Sequence, residues 1–414
     1  MPDVPIPSPS TPTWMPEPSP RPKNPWLRML ASLAARIQVG QCTLVMPGGR
    51  RLSAEGSRER WLRTVVEIHR ARAARRLMLR GTVGFAEAYM DGDWSCRDLP
   101  AFLELALRNE TAIGERAEGL GLMRWIHRLA HRLRANNRRG SRRNISRHYD
   151  LGNDFYGLWL DRDMTYSSAL FAAKDEPLAA AQDRKYRQLA DMLALQPGQH
   201  VLEIGCGWGR FAEIAAGEYG CRVTALTLSR AQAAHARRRI LAAGLTDRVN
   251  VRLQDYRDVS GQFDRIAAIE MFEAVGEDYW QGFFDVLRER LAPGGIAAMQ
   301  VITIDDSRFE RYRRGADFVQ SYIFPGGMLP SPAVLVDHVR RAGLALDRWV
   351  SFGNSYALTL QRWQRRFQEA WPLIRTQGFD DRFKRMWEYY LAYCEAGFRA
   401  GAIDVCQMRI ERPA

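Results

Sequence analysis

The sequence predicts an α/β protein whose larger domain is a doubly wound, mostly parallel sheet. An apolar strand at residues 201–204 runs directly into Gly205, Gly207 and Gly209, and a helix begins behind them. Strands and helical stretches then alternate along the chain, which is typical of a parallel sheet. Polar residues follow the ends of successive strands, and such sheets bind ligands at that carboxyl edge. These observations together predict one ligand site above the glycine-rich turn.

The glycine-rich turn favours a nucleotide-bearing cofactor. Glycine permits a tight turn and a close approach of the backbone, and the helix start offers free N–H groups. The carboxylate of Glu203, at the strand end, suits an amine or a ribose hydroxyl and suits a pyrophosphate poorly. A dinucleotide site would add an acidic residue after the second strand, but Thr227 stands there instead. Because the turn alone also fits simple packing, the later strands decide the assignment.

The remaining strands of this sheet are expected at 222–226, 249–253, 263–269 and 296–304. The third strand ends at Asp255 and Tyr256, a carboxylate beside a ring that suits the edge and face of an adenine. The fourth strand runs into residues 270–273, and a turn at 292–295 precedes the fifth. This series of strand ends resembles a class I methyltransferase that uses S-adenosylmethionine.

The composition indicates an anionic partner. The chain has 414 residues, 46% of them hydrophobic, and 60 Lys and Arg against 47 Asp and Glu give a net charge of +13. Such a charge attracts nucleic acid or an anionic membrane, and the absence of a recognisable nucleic-acid module favours lipid. The six cysteines form no C-x-x-C pair and no metal-like cluster with the seven histidines, so no metal site is expected. The sequence contains no run of about 18 apolar residues, so no membrane-spanning helix is predicted.

The chain divides into four predicted segments and carries a lid. The segments are a proline-rich disordered tail (1–25), a smaller α+β docking or dimerisation domain (26–118), a basic amphipathic linker helix (119–147) and the methyltransferase domain (148–414). The stretch 119–149 has nine arginines and no acidic residue, which fits an interfacial membrane helix or a linker packed on the catalytic domain. Residues 308–327 are expected to form a helical lid insertion over the substrate, or an ordinary packing helix.

Six ordered motifs run through the larger domain. They are HYDLGNDFY (148–156), MTYSSALF (164–171), VLEIGCGWG (201–209), IEMFEAVG (269–276), IFPGGMLP (323–330) and YYLAYCEAGFR (389–399). Together they resemble the cyclopropane-fatty-acyl-phospholipid synthase family, which includes the mycolic acid cyclopropane synthases. Residues 84–92 extend the resemblance loosely to the N-terminal domain of the phospholipid-acting members. Members of this family transfer the methyl of S-adenosylmethionine to the double bond of an unsaturated acyl chain.

The resemblance also implies roles for individual residues. Glu273 and Tyr356 would lie beside a bound bicarbonate ion that serves as the base, with a backbone contact from Ile302. Together with the glycine-rich turn, it gives these expected cofactor-binding residues: Tyr166, Ser167, Glu203, Gly205, Gly207, Gly209, Leu226, Thr227, Gln232, Asp255, Tyr256 and Ile269.

Two expected catalytic positions depart from the family pattern. Ser168 stands where the cyclopropane synthases carry a cysteine, and Gln300 stands where they carry a histidine. Both side chains can donate hydrogen bonds to an anion, but neither titrates near neutral pH as histidine does. We therefore expect anion binding to survive while proton handling differs. Slow loss of a methyl proton would allow a hydride shift followed by loss of a different proton, giving a methyl-branched or methylene chain in place of a ring.

The predicted activity is methyl transfer to an unsaturated fatty acyl chain of a membrane phospholipid, giving a cyclopropane fatty acyl chain. The alternatives are the same transfer without ring closure, methyl transfer to a small polar acceptor, and a non-catalytic lipid-binding homologue. The expected partners are unsaturated acyl chains and an anionic membrane surface, without nucleic acid and with a homodimer as an option. The expected location is cytoplasmic, peripheral to the inner face of the membrane.

Overall fold

A computed structural model describes residues 22–113 and 151–413 of the chain. A four-stranded sheet organises the N-terminal part and a seven-stranded sheet organises the larger part. The N-terminal elements are α1 (Pro25–Ala34), β1 (Val39–Val45), β2 (Arg51–Glu55), β3 (Arg58–Ile68), α2 (Arg72–Met90), β4 (Trp94–Cys96), α3 (Leu99–Arg108) and α4 (Glu110–Ile113). The later elements are α5 (Asn153–Gly157), α6 (Leu178–Met192), β5 (His200–Ile204), α7 (Arg210–Gly217), β6 (Arg222–Thr227), α8 (Arg230–Ala242), β7 (Val249–Leu253), β8 (Phe263–Ile269), α9 (Trp280–Arg290), β9 (Leu291–Ile304), α10 (Asp306–Tyr312), α11 (Phe318–Tyr322), α12 (Pro332–Arg341), β10 (Ala345–Ser351), α13 (Gly353–Thr376), α14 (Asp381–Arg399) and β11 (Ile403–Glu411).

The larger sheet has the strand order β10-β11-β9-β8-β5-β6-β7. β5 pairs in parallel with β6 and with β8, and the β6–β7 and β8–β9 pairs are also parallel. β11 pairs antiparallel with β9 and with β10. The doubly wound, mostly parallel sheet that the sequence predicts is confirmed. Its strand order reverses at β5 and β8, which is the place where such sheets bind ligands.

The last parallel strand is longer than the sequence predicts. β9 begins at Leu291 and includes the expected turn at 292–295, because the strand continues through an irregularity. Its register with β8 shifts between residues 263 and 265. A Cβ on Gly295 would lie 2.7 Å from the carbonyl oxygen of Ala292, so the glycine accommodates the irregularity.

The segment expected to form a lid, residues 308–327, holds most of α10 and all of α11. A capping box starts α11: the Asp317 carboxylate accepts from the N–H of Gln320 at 2.8 Å, and the Gln320 side chain accepts from the N–H of Asp317 at 3.0 Å. Such reciprocal bonds fix a helix start. The segment is therefore a pair of short helices joined by a bend, rather than one helix.

In the N-terminal part, the strand order is β2-β1-β3-β4. α1 starts at Pro25 because Asn24 caps it by accepting from the N–H of Trp26 at 3.0 Å. The tail 1–21 and the expected basic helix 119–147 lie outside the described residues.

An aromatic core links the two parts through α13 and α14. The fully buried rings of Trp363 and Trp387 each meet the ring of Trp159 edge to face, with centroids 5.8 Å apart. Farther along α14, the ring of Tyr389 lies 5.6 Å from that of Tyr89 in α2. One continuous cluster of buried side chains includes these rings and those of α1, α2 and α3. The N-terminal part is therefore packed directly against the C-terminal helices.

No helix in the described ranges 22–113 and 151–413 is long and apolar enough to cross a membrane. The same ranges contain no group of three or more His, Cys, Asp or Glu residues that could hold a metal ion. The six cysteines all lie within these ranges, and each is a free thiol.

Asn109 joins α3 to β1 and provides a test of this packing. Its Oδ1 accepts from the N–H groups of Gln38 and Val39 at 2.7 and 3.0 Å, and its Nδ2 donates to the carbonyls of Val39 and Leu105 at 2.9 and 2.8 Å. Asn109→Ala should lower the free energy of unfolding by about 2–4 kcal/mol, because it leaves buried backbone groups without partners. Thermal unfolding measures the loss. Asn354→Ala, at an exposed side chain, is the control, and an equal effect of both variants would contradict the prediction.

Candidate active site

A cavity of about 1230 Å³ opens above the carboxyl ends of β5, β6 and β8. It runs from the glycine-rich turn, beneath the lid segment, to Arg80 of α2 and Glu110 of α4. Three predicted site residues, Gly209, Ser168 and Gln300, do not line it. The predicted residues that line it are Tyr166, Ser167, Glu203, Gly205, Gly207, Leu226, Thr227, Gln232, Asp255, Tyr256, Ile269, Glu273, Ile302 and Tyr356.

The glycine-rich turn depends on left-handed backbone conformations. The φ angles are 85° at Gly205, 51° at Gly207 and 88° at Gly209, a region that side chains disfavour. A Cβ on Gly205 would lie 2.9 Å from the Cβ of Met271, and one on Gly209 would lie 3.0 Å from the Cβ of Ala236 in α8. Gly205 and Gly207 therefore shape the cavity floor, whereas Gly209 allows α7 to pack closely on α8.

Glu203 offers an unsatisfied acceptor at the end of β5. The residue is 2% exposed, and its Oε2 has no hydrogen-bond partner among the described residues. Burial raises the pKa of this carboxyl to about 8, an effect that the ammonium of Lys185 opposes. An amine or hydroxyl donor on a bound cofactor would satisfy Oε2 and favour the ionised form. The site thus fits the kind of donor that the sequence predicts for Glu203.

The ends of β6 and β7 form the wall expected to hold the adenosine. Thr227 donates its hydroxyl to Oε1 of Gln232 at 2.9 Å. Asp255 is 2% exposed and forms an ion pair with Arg257 at 2.7 Å. The ring of Tyr256 also lines the cavity. Arg257, which no sequence pattern singles out, donates to both oxygens of Asp255, to Oδ1 at 2.9 Å and to Oδ2 at 2.7 Å.

Lys185 is a buried cation beneath the cofactor wall, and the sequence analysis also missed it. Its Nζ donates to Oγ of Ser167 at 2.6 Å. Burial lowers its pKa to about 7, while Glu270 and other carboxylates oppose the shift. When Lys185 is protonated, its ammonium can only donate, so the Ser167 oxygen accepts this bond and the Ser167 hydroxyl proton is available to a ligand. The hydrogen bond from Lys185 therefore orients the Ser167 hydroxyl group.

Glu270 occupies the centre of the expected catalytic region. Its Oε1 accepts from the N–H of Ser168 at 2.8 Å and from Nε2 of Gln300 at 2.6 Å. Its Oε2 accepts from the hydroxyl of Tyr356 at 2.6 Å. The backbone φ of Glu270 is 47°, which costs a residue with a side chain about 1–2 kcal/mol. The hydrogen bonds hold this carboxylate in place despite the strained backbone.

Glu273 lies on the same cavity wall in a different environment. Its Oε1 accepts from the N–H of Ile302 at 2.6 Å, and its Oε2 has no partner among the described residues. Burial raises its pKa to about 8, and the charge of Glu270 adds to the rise. At neutral pH, Glu273 therefore favours its protonated form, whereas the three donors around Glu270 favour a carboxylate.

A family model described as mycolic acid cyclopropane synthetase matches residues 136–408. The chain belongs to this family. It is 41% identical over 358 residues to tuberculostearic acid methyltransferase UfaA1 of Mycobacterium tuberculosis, covering 83% of this chain and 82% of the relative. It is 36% identical over 347 residues to cyclopropane-fatty-acyl-phospholipid synthase of Escherichia coli, covering 82% and 85%.

The fold comparison agrees with the sequence comparison. The structure of cyclopropane synthase MmaA2 from Mycobacterium tuberculosis matches with a TM-score of 0.62 and 32% identity, covering 65% of this chain and 98% of that one. Mycolic acid cyclopropane synthase CmaA1, complexed with SAH and CTAB, matches with a TM-score of 0.61 and 31% identity, covering 65% and 98%. The protein is therefore an S-adenosylmethionine-dependent methyltransferase, and the resemblance found in the sequence is confirmed.

The resemblance implies a bound bicarbonate ion, but the residues of this enzyme do not leave the expected hydrogen-bond donors available to such an ion. The donors expected to hold the ion, around Ser168, Gln300 and Tyr356, already bind the Glu270 carboxylate at 2.6–2.8 Å. An anion in the same place would lack donors and would be repelled by Glu270. Ser168 and Gln300 do not line the cavity. Both donate to Glu270, which does line it. In the sequence, residue 270 directly follows a predicted strand, a position typical of a site residue, but no motif gives it a role.

We expect the backbone at Gly205 to shape the binding site of the methyl donor. Gly205→Ala places a Cβ 2.9 Å from that of Met271 at a φ of 85°, a strain of about 1–3 kcal/mol that predicts roughly tenfold weaker S-adenosylmethionine binding or more. Titration calorimetry measures the affinity. Gly217→Ala, whose Cβ would meet only Leu245 at an ordinary 3.6 Å, is the matched control. Unchanged affinity in Gly205→Ala would show that the turn tolerates a side chain.

Proposed function

We propose that this enzyme transfers the methyl group of S-adenosylmethionine to the double bond of an unsaturated acyl chain carried by a membrane phospholipid. The observation that carries the proposal is the form of the cavity: polar at the cofactor end, apolar in the middle and rich in arginine at the rim. The cofactor supplies an electrophilic methyl group when bound. A feeble nucleophile such as an olefin then requires alignment and exclusion of water.

The middle of the cavity suits an alkyl chain. Its walls include Ile304, Val319, Phe324, Met328 and Leu360. The hydroxyls of two further lining residues, Tyr166 and Tyr390, bind each other at 2.9 Å, so one of their two protons is not available to a hydrophilic acceptor. The related CmaA1 structure contains CTAB, a surfactant with a long alkyl chain, which supports the same assignment. A small polar acceptor is correspondingly disfavoured.

Positive charge that develops on the chain after methyl transfer would lie near aromatic rings and a carboxylate. Tyr356 lines the cavity, stacks on Phe398 with centroids 4.4 Å apart and donates its hydroxyl to Glu270. Aromatic faces and fixed carboxylates stabilise cations in a water-free site. This arrangement favours an active enzyme over a non-catalytic lipid-binding homologue.

Two products remain candidates. The family resemblance favours a cyclopropane fatty acyl chain, and the E. coli relative is named for that product. The absence of a titrating histidine at Gln300 favours a methyl-branched or methylene chain, and the UfaA1 relative is named as a methyltransferase. The two products share a mass increase of one CH₂, so mass spectrometry before and after hydrogenation of the double bond distinguishes them.

The rim of the cavity suits the phosphate of a phospholipid. Arg308 and Arg311 of the lid segment both form ion pairs with Glu110, the latter at 2.9 Å. Arg80 and Arg314 also line the cavity, and they form ion pairs with Glu87 and Glu310. Guanidinium groups bind phosphate in bidentate fashion, and this group of arginines supplies them at the rim. A headgroup held here would leave its acyl chain directed toward the cofactor.

Transfer of labelled methyl groups to liposomes tests the activity. Wild-type enzyme should label the acyl chains of vesicles made from unsaturated phospholipid and should leave saturated vesicles unlabelled. Label recovered only in a water-soluble acceptor would support the small-acceptor alternative. No label in any lipid would refute the proposed function.

Replacement of Arg308 and Arg311 by Gln tests the headgroup site. We expect kcat/KM for phospholipid to fall roughly 10- to 30-fold, since each arginine near phosphate contributes about 1 kcal/mol. Turnover of an unsaturated fatty acid methyl ester in detergent should change little, because this substrate has no phosphate. The matched control replaces Arg340 and Arg341, which likewise share one carboxylate, Asp337. Equal losses on both substrates would assign the pair a structural role.

We also propose that the enzyme works in the cytoplasm, docked on the inner face of the membrane through its basic sequence stretch 119–149. Replacing Arg138, Arg139, Arg142 and Arg143 by Gln should weaken vesicle binding and activity on vesicles, and high salt should do the same to the wild type. Activity on detergent-dispersed lipid should be retained. Equal loss in both assays would indicate a structural linker. The homodimer expected from the N-terminal domain stays a prediction.

A further inference from the structure

We propose that the Glu270 carboxylate replaces bicarbonate in this enzyme and is the base that accepts the proton released after methyl transfer. The inference rests on the proposed function and specifies which group of the chain completes the reaction. Its basis is the position of Glu270 within the donor set that the family resemblance assigns to the ion.

The hydrogen bonds leave one acceptor position open. Oε1 accepts two bonds, from Ser168 and Gln300, and Oε2 accepts one, from the hydroxyl of Tyr356. A carboxylate has about four acceptor positions, two on each oxygen. One lone pair of Oε2 therefore remains, and Glu270 is a partly exposed residue of the cavity wall. A proton leaving the substrate can reach this lone pair without disturbing the other three bonds.

A chain of amides orients Gln300 toward Glu270. Nε2 of Gln407 donates to Oε1 of Gln300 at 3.0 Å and to the carbonyl of Lys185 at 3.0 Å. Oε1 of Gln407 accepts from Nε2 of Gln188, also at 3.0 Å. Because Oε1 of Gln300 is held as an acceptor, its Nε2 must face Glu270. Gln300 is therefore held in the orientation in which its amide N–H donates to the Glu270 carboxylate.

The two residues that depart from the family pattern, Ser168 and Gln300, both donate hydrogen bonds to the Glu270 carboxylate. Ser168 contacts Glu270 only through its backbone N–H, while its hydroxyl donates to the carbonyl of Ala169 at 2.9 Å. Position 168 therefore needs no thiol, and position 300 needs a donor rather than a titrating ring. The φ of 47° at residue 270 would suit glycine better. A carboxylate retained at a strained position indicates a function for the side chain.

The environment of Glu270 suits a base. Burial raises its pKa, whereas Lys185 and the hydrogen bonds oppose the rise. A carboxylate with a raised pKa is a stronger base than an exposed one, and the bonds still keep it ionised. Glu273, with its pKa raised to about 8, carries the proton of the pair at neutral pH. At neutral pH, the Glu273 carboxyl is therefore protonated while the Glu270 carboxylate is available as a base.

The proposed step is balanced. A C–H bond of the added methyl breaks, and its electron pair stays with the chain. The pair forms the third bond of a cyclopropane ring, or the second bond of a methylene group if a hydride shift came first. The proton passes to Oε2 of Glu270 and is released to water when the product leaves.

Bicarbonate-free buffer and two variants test the inference. Wild-type enzyme should bind no ¹³C-labelled bicarbonate in NMR titrations and should label phospholipid at the same rate with and without the ion. Glu270→Gly removes the backbone strain and empties the donor set, so it should bind bicarbonate and regain activity as the ion is added. Glu270→Gln keeps the side-chain shape without the base and should be at least ~100-fold slower at any bicarbonate concentration.

S-adenosylmethionine affinity and thermal midpoints verify that both variants fold. Glu395→Gln, at a buried carboxylate that does not line the cavity, should retain wild-type rates. Wild-type activity that requires bicarbonate, or near wild-type rates in Glu270→Gln, would overturn the inference. If the wild type labels no lipid, the proposed function fails, while the bicarbonate titrations still decide whether Glu270 excludes the ion.

Discussion

The parallel pairing of β5 with β8 is the constraint on which the active site depends. Ile204 pairs with Ala268 in this register, so the glycine-rich turn and Glu270 leave the sheet side by side. Met271, the residue after Glu270, lies against Gly205, which joins the cavity floor to the wall that contains Glu270. The glycine-rich turn and the Glu270 carboxylate are neighbours because two strands distant in sequence are adjacent in the sheet.

The electrostatics of the site follow from burial of several charges together. Glu203 and Glu273 each have a pKa raised to about 8, and Lys185 has one lowered to about 7. In a low-dielectric interior, each group approaches neutrality unless a partner compensates its charge. Glu270 accepts three hydrogen bonds, which favour its ionised form over its protonated form. A cationic cofactor beside Glu203 would shift that carboxyl toward its ionised form.

Packing between the two parts of the chain determines access to the site. α14 carries Trp387 in the aromatic core and Tyr389 against α2, so the edge of the N-terminal part forms one side of the cavity mouth. Glu110, the first residue of α4, forms ion pairs with Arg308 and Arg311 of the lid segment. The rim is therefore shared between segments that are almost 200 residues apart, and access to the cavity depends on both.

The sequence by itself determined the sheet, the family and most of the cavity wall, because glycine turns, strand alternation and strand-end polar residues are local signals. It also located the two departures at Ser168 and Gln300. Only the tertiary structure showed that both departures contact Glu270, and that the buried Lys185 interacts electrostatically with Glu203 and Glu270. Hydrogen bonds between distant strands and the burial of charge have no local sequence pattern, so the acidic residue at 270 was visible in the sequence while its role was not.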